Sequence, residues 1–149
     1  MRIIAPHDVH WIEYTLNDRP LAVRSREAGM HFAVELDAEA TGHLMAQGFG
    51  EEGHARGDLS AHLMNTQGAR LMWFEQGAGV STLRVLAQPS WLAQVRLRDA
   101  QGEVRASATQ TEGAMDLTLS VREVHEHLKA ELLDAQGRVR ARLNLPITP

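Results

Sequence analysis

The decapeptide LRDAQGEVRA at positions 97–106 returns as LLDAQGRVRA at positions 132–141, with two residues changed. In each copy an Asp that can bond its own backbone stands first in the turn, and a Gly stands fourth. That is the chemistry of a type I turn closed by a left-handed glycine in a G1 bulge. Asp99-Ala100-Gln101-Gly102 and Asp134-Ala135-Gln136-Gly137 therefore read as two hairpin tips. The flanks agree. Ala93, Val95 and Leu97 alternate with Gln94, Arg96 and Arg98 before the first tip, and Val104, Ala106 and Ala108 alternate with Glu103, Arg105 and Ser107 after it. In the second copy Leu128, Ala130 and Leu132 lead in, while Val139, Ala141 and Leu143 lead out between Arg138, Arg140 and Arg142. A period of two predicts strands with one buried face and one wet face.

Working outward, Asn65-Thr66-Gln67-Gly68 offers a looser version of the same turn. Met115 to Val121 alternates strictly after a Glu112-Gly113 turn, Val80 to Leu86 is an apolar run ended by Pro89, and Trp91 is expected to open the next strand. Eight short strands from about Leu59 onward predict an all-β fold: an antiparallel sandwich, immunoglobulin-like or jelly-roll-like, over 59–149. Residues 1–36 read as an N-terminal β extension. It holds a hairpin (Trp11 to Leu16 and Leu21 to Arg26 around Asn17-Asp18-Arg19-Pro20) and an alternating stretch through Met30, Phe32, Val34 and Leu36. Between them and the sandwich, over 37–58, Asp37 is expected to cap a short helix, AEATGHLMAQ, that stops at Gly48. GFGEEGHARGD, residues 48–58, is expected to be a mobile surface loop. At 149 residues the chain reads as a single domain, long enough to bury roughly 68 to 70% of its unfolded surface.

The chain has no cysteine, which removes disulfides and thiolate metal sites from consideration. Its net charge of -4 argues against a general nucleic-acid binder, whose affinity rests on neutralised phosphates. Residues 1–79 carry 11 acidic and 6 basic side chains, so the acidic excess lies in front. With no apolar run of signal-peptide or membrane-span length, the sequence predicts a soluble, cytoplasmic or virion-associated chain.

Candidate chemistry is sparse. His7-Asp8-Val9-His10 and the pair His125 and His127 invite a metal reading, but residues three apart on a strand point to opposite faces, and two imidazoles without a third donor do not close a site. The expectation is no metal and no cofactor. Glu51, Glu52, His54 and Asp58 accompany four glycines without the ending of a phosphate loop or the Asp ladder of a calcium loop. Serines 25, 60, 81, 90, 107 and 120 sit in no nucleophile elbow and have no local base, so no catalytic residue is assigned. The remaining pattern is a comb of arginines on the non-core register: Arg96, Arg98, Arg105, Arg138, Arg140 and Arg142. On one sheet they would form a stripe able to take carboxylates or phosphates, or to meet a partner. Glu103, Glu131 and Lys129 share the register, so cross-strand ion pairs are the competing expectation.

LKAELLDAQGRVRARLNLPI, from Leu128 to Ile147, resembles the end of the sandwich domain that follows the catalytic barrel in some PHP-type metallophosphoesterases, a resemblance that covers residues 60 to 149. Here Leu145 separates Asn144 from Pro146. The barrel that binds metal in that family has no counterpart here, and PHDVHW does not reproduce its D-x-H-x-H signature. The resemblance implies a β-sandwich and carries over no activity and no site residue.

The expected function is that of a non-enzymatic interaction or structural protein. It would contact a protein partner or itself, in a homo-oligomer or a larger assembly such as a phage particle, with no specific nucleic acid and no membrane. The apolar pieces Met1 to Ala5 and Leu143 to Pro149 are expected to act as arms on a neighbour. The alternatives are a metal-binding or hydrolytic domain using the histidines, or a small-ligand or carbohydrate module. One Tyr, three Phe and three Trp are few for the latter, and Trp73 and Trp91 read as core.

Overall fold

The structure is a computed structural model that describes residues 2–4, 9–25, 31–33, 39–77, 79–110, 117–124 and 126–146. These form β1 (Arg2–Ile4), β2 (Trp11–Leu16), β3 (Arg19–Ser25), β4 (His31–Ala33), β5 (Gly42–Phe49), β6 (Ala55–Thr66), β7 (Ala69–Gly77), β8 (Val80–Ala87), β9 (Gln94–Arg98), β10 (Val104–Thr109), β11 (Leu117–Arg122), β12 (Leu128–Leu133) and β13 (Val139–Leu145). Every strand pairing with a defined register is antiparallel, and the described residues include no helix. Hydrogen bonding gives the orders β1-β4, β10-β9-β12-β13 and β11-β8-β7-β6-β5-β2-β3. Two compact units divide within β6, at His62 and Leu63.

In the second unit the duplicated turn has the expected geometry in both places. Gly102 N–H donates to Asp99 O at 3.0 Å and Asp99 N–H to Glu103 O at 2.9 Å; Gly137 and Asp134 repeat both bonds at 3.0 Å. Gly102 and Gly137 hold φ of 82° and 79°, a conformation that disfavours a Cβ. The Asp side chains complete each turn: Asp99 Oδ1 accepts from the amides of Gln101 and Glu103, and Asp134 Oδ1 from those of Gln136 and Arg138.

The two hairpins join through their first strands. β9 pairs with β12 so that Arg96 faces Glu131, and these two residues hold the same position in the two copies. A local two-fold axis therefore passes between them. Leu97, Val95, Leu128, Ala130, Leu132, Ala141 and Leu145 of this four-stranded sheet meet Leu71, Trp73, Leu83, Val85, Leu117, Leu119 and Val121 of β7, β8 and β11 in one core. With β7, β8 and β11 lettered A, B and E, and β10, β9, β12 and β13 lettered C′, C, F and G, the orders are A-B-E and C′-C-F-G. This is an immunoglobulin-type Greek key, with the extra strand beside C, and not a jelly roll.

Three details of this unit depart from expectation. Trp91 lies in the turn before β9 and does not open it. Val104, expected inside, is 47% exposed, because a register shift between Val104 and Ala106 sets it opposite Arg98 on the outer face. Leu145 is fully buried, and Pro146 O accepts the Trp73 indole N–H at 2.7 Å. The C-terminal piece thus closes its own sandwich as far as it is described. The Glu112-Gly113 turn, with Met115 and Asp116, lies outside the described residues, as do 147–149.

In the first unit the expected helix over 38–47 is strand β5. Leu44 and Ala46 are buried while His43, Met45 and Gln47 are half-exposed, a period of two. Gly42 has φ of 117°, far from helical, and a Cβ there would overlap the Asn17 side chain. Asn17 and Asp18, both with positive φ, form a two-residue type I′ turn between β2 and β3. Asn17 then ties this tip to β5, donating Nδ2–H to Thr41 O at 3.0 Å and accepting His43 N–H on Oδ1 at 2.8 Å.

The expected loop over 48–58 is a hairpin. Gly53 N–H donates to Gly50 O at 3.0 Å and Gly50 N–H to His54 O at 2.9 Å, with Gly53 at φ of 83°. The third copy of the DAQG turn geometry is therefore Gly50-Glu51-Glu52-Gly53. Asn65 to Gly68, where it was expected, makes a type I′ turn on Gln67 and Gly68 instead. The N-terminal stretch also differs from a free arm, since Arg2–Ile4 pairs with His31–Ala33 of the same chain. Met1 and Ala5, Met30, and 34–38, which include Val34, Leu36 and Asp37, lie outside the described residues.

Candidate functional site

The outer face of β10-β9-β12-β13 is built by alternation: residues between the core positions of each strand must point away from the core. In register across the sheet lie Ser107, Arg96, Glu131 and Arg142. Glu131 is nearly buried, its side chain 7% exposed. Its Oε1 accepts from Arg96 Nε at 2.7 Å and Arg98 Nε at 2.5 Å, and its Oε2 from Arg142 Nε at 3.3 Å. Burial by itself would raise its pKa; the bonds from Arg96, Arg98 and Arg142 outweigh burial and hold the carboxyl at about 2.

Three guanidinium groups on one carboxylate leave two positive charges in excess. Each arginine uses Nε toward Glu131, so Nη groups remain for an outside acceptor; one of them, Arg98 Nη1, donates to Gly102 O at 2.6 Å. Glu131 thereby holds the three guanidinium groups in place.

The other three arginines of the comb are placed separately. Arg140 lies 3.6 Å from Asp134 Oδ2, with its guanidinium carbon 5.2 Å from the centre of the half-buried Trp91 ring. The Arg138 amide, together with the Gln136 amide and the Arg140 guanidinium, holds the Asp134 carboxyl below its ordinary range against the opposing effect of burial. Arg138 is exposed beside the turn, and Arg105 Nη2 donates to Arg122 O at 3.4 Å. The comb is thus a tight trio, a stacked fourth member and two outliers. The cross-strand pairing expected of Glu131 is present; Glu103 uses its backbone in the turn, and Lys129 is exposed opposite Arg98.

Of the histidines that invited a metal reading, His7 and His125 lie outside the described residues. His10 is exposed, its amide donating to Phe49 O at 2.7 Å. His127 donates Nδ1–H to Leu145 O at 3.0 Å and straps β12 to β13. His54 lies 3.7 Å from Glu52, both well exposed. Among the described residues no group of three or more His, Asp and Glu side chains could hold a metal ion.

A second cluster is not apparent from the sequence. His43 on β5 is hydrogen-bonded through Nε2 to Ser60 Oγ on β6, and its ring centre lies 5.3 Å from that of His62, tilted by 35°. Burial first, and then the proximity of His43, lower the His62 pKa from its ordinary value. The signal is the alternation Asp58, Ser60, His62 against His43, Met45, Gln47, and a helix over 38–47 hides it. No protein-family model matches this chain, and no curated protein is similar to it.

Proposed function

We propose that this chain is a non-enzymatic interaction protein that assembles with copies of itself, and that the outer face of β10-β9-β12-β13 is a contact surface. The observation that carries this reading is the trio Arg96, Arg98 and Arg142, held on Glu131 with two charges in excess. Preorganised guanidinium groups are suited to carboxylates. Beside them Arg140 and Trp91 bring together two residue types that dominate contact energies.

The complementary surface is the tip of the β5–β6 hairpin of another copy. Glu51 and Glu52 stand exposed at the centre of the Gly50–His54 turn, within the part of the sequence that carries the acidic excess. A basic sheet face on one copy and an acidic tip on the next make a contact between unlike surfaces, which is made twice in a two-fold dimer or propagates into a ring or filament.

Sedimentation of the full chain tests this. Association is expected at low ionic strength and should weaken as salt screens the exposed charges. The pair Arg140→Glu with Arg142→Glu, and separately the pair Glu51→Arg with Glu52→Arg, should each lower the mass while leaving circular dichroism unchanged. Mixing the two reversed proteins should restore association. A full-length chain that stays monomeric at high concentration and low salt excludes self-assembly through this face.

A further inference from the structure

The His43 and His62 rings lie on neighbouring strands of the first unit, on the half-exposed side of β5 and β6. Imidazole nitrogens bind a late first-row divalent ion at about 2.0 to 2.1 Å, so two imidazoles sharing one ion have ring centres roughly 4.5 Å apart at the right angle that copper(II) prefers and roughly 5 Å apart at the tetrahedral angle of zinc(II). The observed separation is 5.3 Å. The two rings are tilted by 35° to one another. Ser60 adds a further constraint. In the Nδ1–H tautomer of His43 the Ser60 hydroxyl donates to Nε2, holding the ring with the lone pair that a metal would take on the Ser60 side.

We propose that His43 and His62 form an open, two-imidazole site for a late divalent metal ion, copper(II) before zinc(II), with water in the remaining positions. The order follows the general rise in affinity of nitrogen sites toward copper. Two protein ligands leave the ion exchangeable, which separates this site from a closed structural centre. It shares no residue with the arginine face and does not depend on the assembly reading.

The test uses the full-length chain without a histidine tag. Copper(II) titrated by calorimetry should bind at about one ion per chain, tighter than about 0.1 mM, with zinc(II) weaker. The electron paramagnetic resonance spectrum should show coupling to two imidazole nitrogens. His43→Asn and His62→Asn should each weaken binding by more than about tenfold, that is 1.4 kcal/mol. His10→Ala and His127→Ala should leave it in place. Should the variants fold poorly, copper should protect His43 and His62 of the unaltered chain from diethylpyrocarbonate, as mapped by mass spectrometry. Absence of near-stoichiometric binding, binding that survives in the His43→Asn, His62→Asn double variant, or protection of other histidines in their place would overturn the proposal.

Discussion

The two DAQG hairpins make the same turn in unlike surroundings. Asp99 and Asp134 each accept two amides two and four residues on, at 2.9 to 3.0 Å, and the glycines that follow differ by only 3° in φ. Beyond the turn the copies diverge. Asp134 is buried and faces Arg140, while Asp99 is half-exposed. Where the first copy has Arg98, which reaches Glu131 and Gly102, the second has the buried Leu133. What the copies still share beyond the turn is the register slip of the outgoing edge strand, which leaves Arg105 of β10 and its equivalent, Arg140 of β13, as the extra residue. Turn geometry is set by four residues, whereas burial and charge are set by which strands come to lie alongside.

The strongest way to break the comparison is at its axis, where Arg96 and Glu131 are equivalent positions paired with each other. Glu131→Gln leaves three guanidinium groups without their carboxylate and should destabilise by about 3 kcal/mol in urea unfolding. The pH dependence has a defined sign. The Glu131 carboxyl is held at about 2 in the folded chain against about 4.5 ordinarily. Its contribution is therefore complete above about pH 4.5 and is lost as pH falls toward 2. The urea midpoint should drop across that window, and Glu131→Gln should flatten the drop.

Asp134→Ala and Asp99→Ala sharpen the contrast between equivalent residues. Both remove the same amide bonds, yet Asp134→Ala should lower the urea midpoint further, because it also empties a buried position and removes the ion pair with Arg140. Equal losses would mean that the turn alone accounts for both residues. The glycines should behave alike: Gly102→Ala and Gly137→Ala each cost about 1 kcal/mol by thermal or urea unfolding, from backbone strain, since an added Cβ meets nothing within 4 Å at either position. The smallest difference should separate Val104 from Val139. Val104→Thr on the exposed edge should change stability by less than about 0.5 kcal/mol, while Val139→Thr, half-buried opposite Leu133, should cost about 1 kcal/mol.

Period-two patterns locate the strands where the pattern is unambiguous, as in Val95 and Leu97 or Leu128, Ala130 and Leu132. They fail over 38–47, where the adjacent Leu44 and Met45 fit a helix as well as a strand, and where Gly42 looks like a weakness in a helix. Gly42 is required because the Asn17 side chain, 25 residues earlier, occupies the space a Cβ would take. The helical expectation also conceals the histidine pair, since His43 and His62 share a face only if β5 is a strand. The arginine comb is legible as a register, but its grouping is not: alternation tells that Arg96, Arg98 and Arg142 point outward, and says nothing of which carboxylate lies between them.

By itself the sequence determined the local chemistry: two Asp-x-x-Gly turns, the strands on either side of them, the apolar faces of β9 and β12 and an all-β sandwich after Leu59. These are set by residues within a few positions of one another, whose φ preferences and alternation act before any distant contact forms. Tertiary structure alone decided that the two hairpins join through β9 and β12, that Glu131 thereby falls among three arginines, and that Gly50 to Gly53 repeats the turn without its Asp. Pairing between distant strands depends on which apolar faces can be buried together, and that is a property of the whole chain.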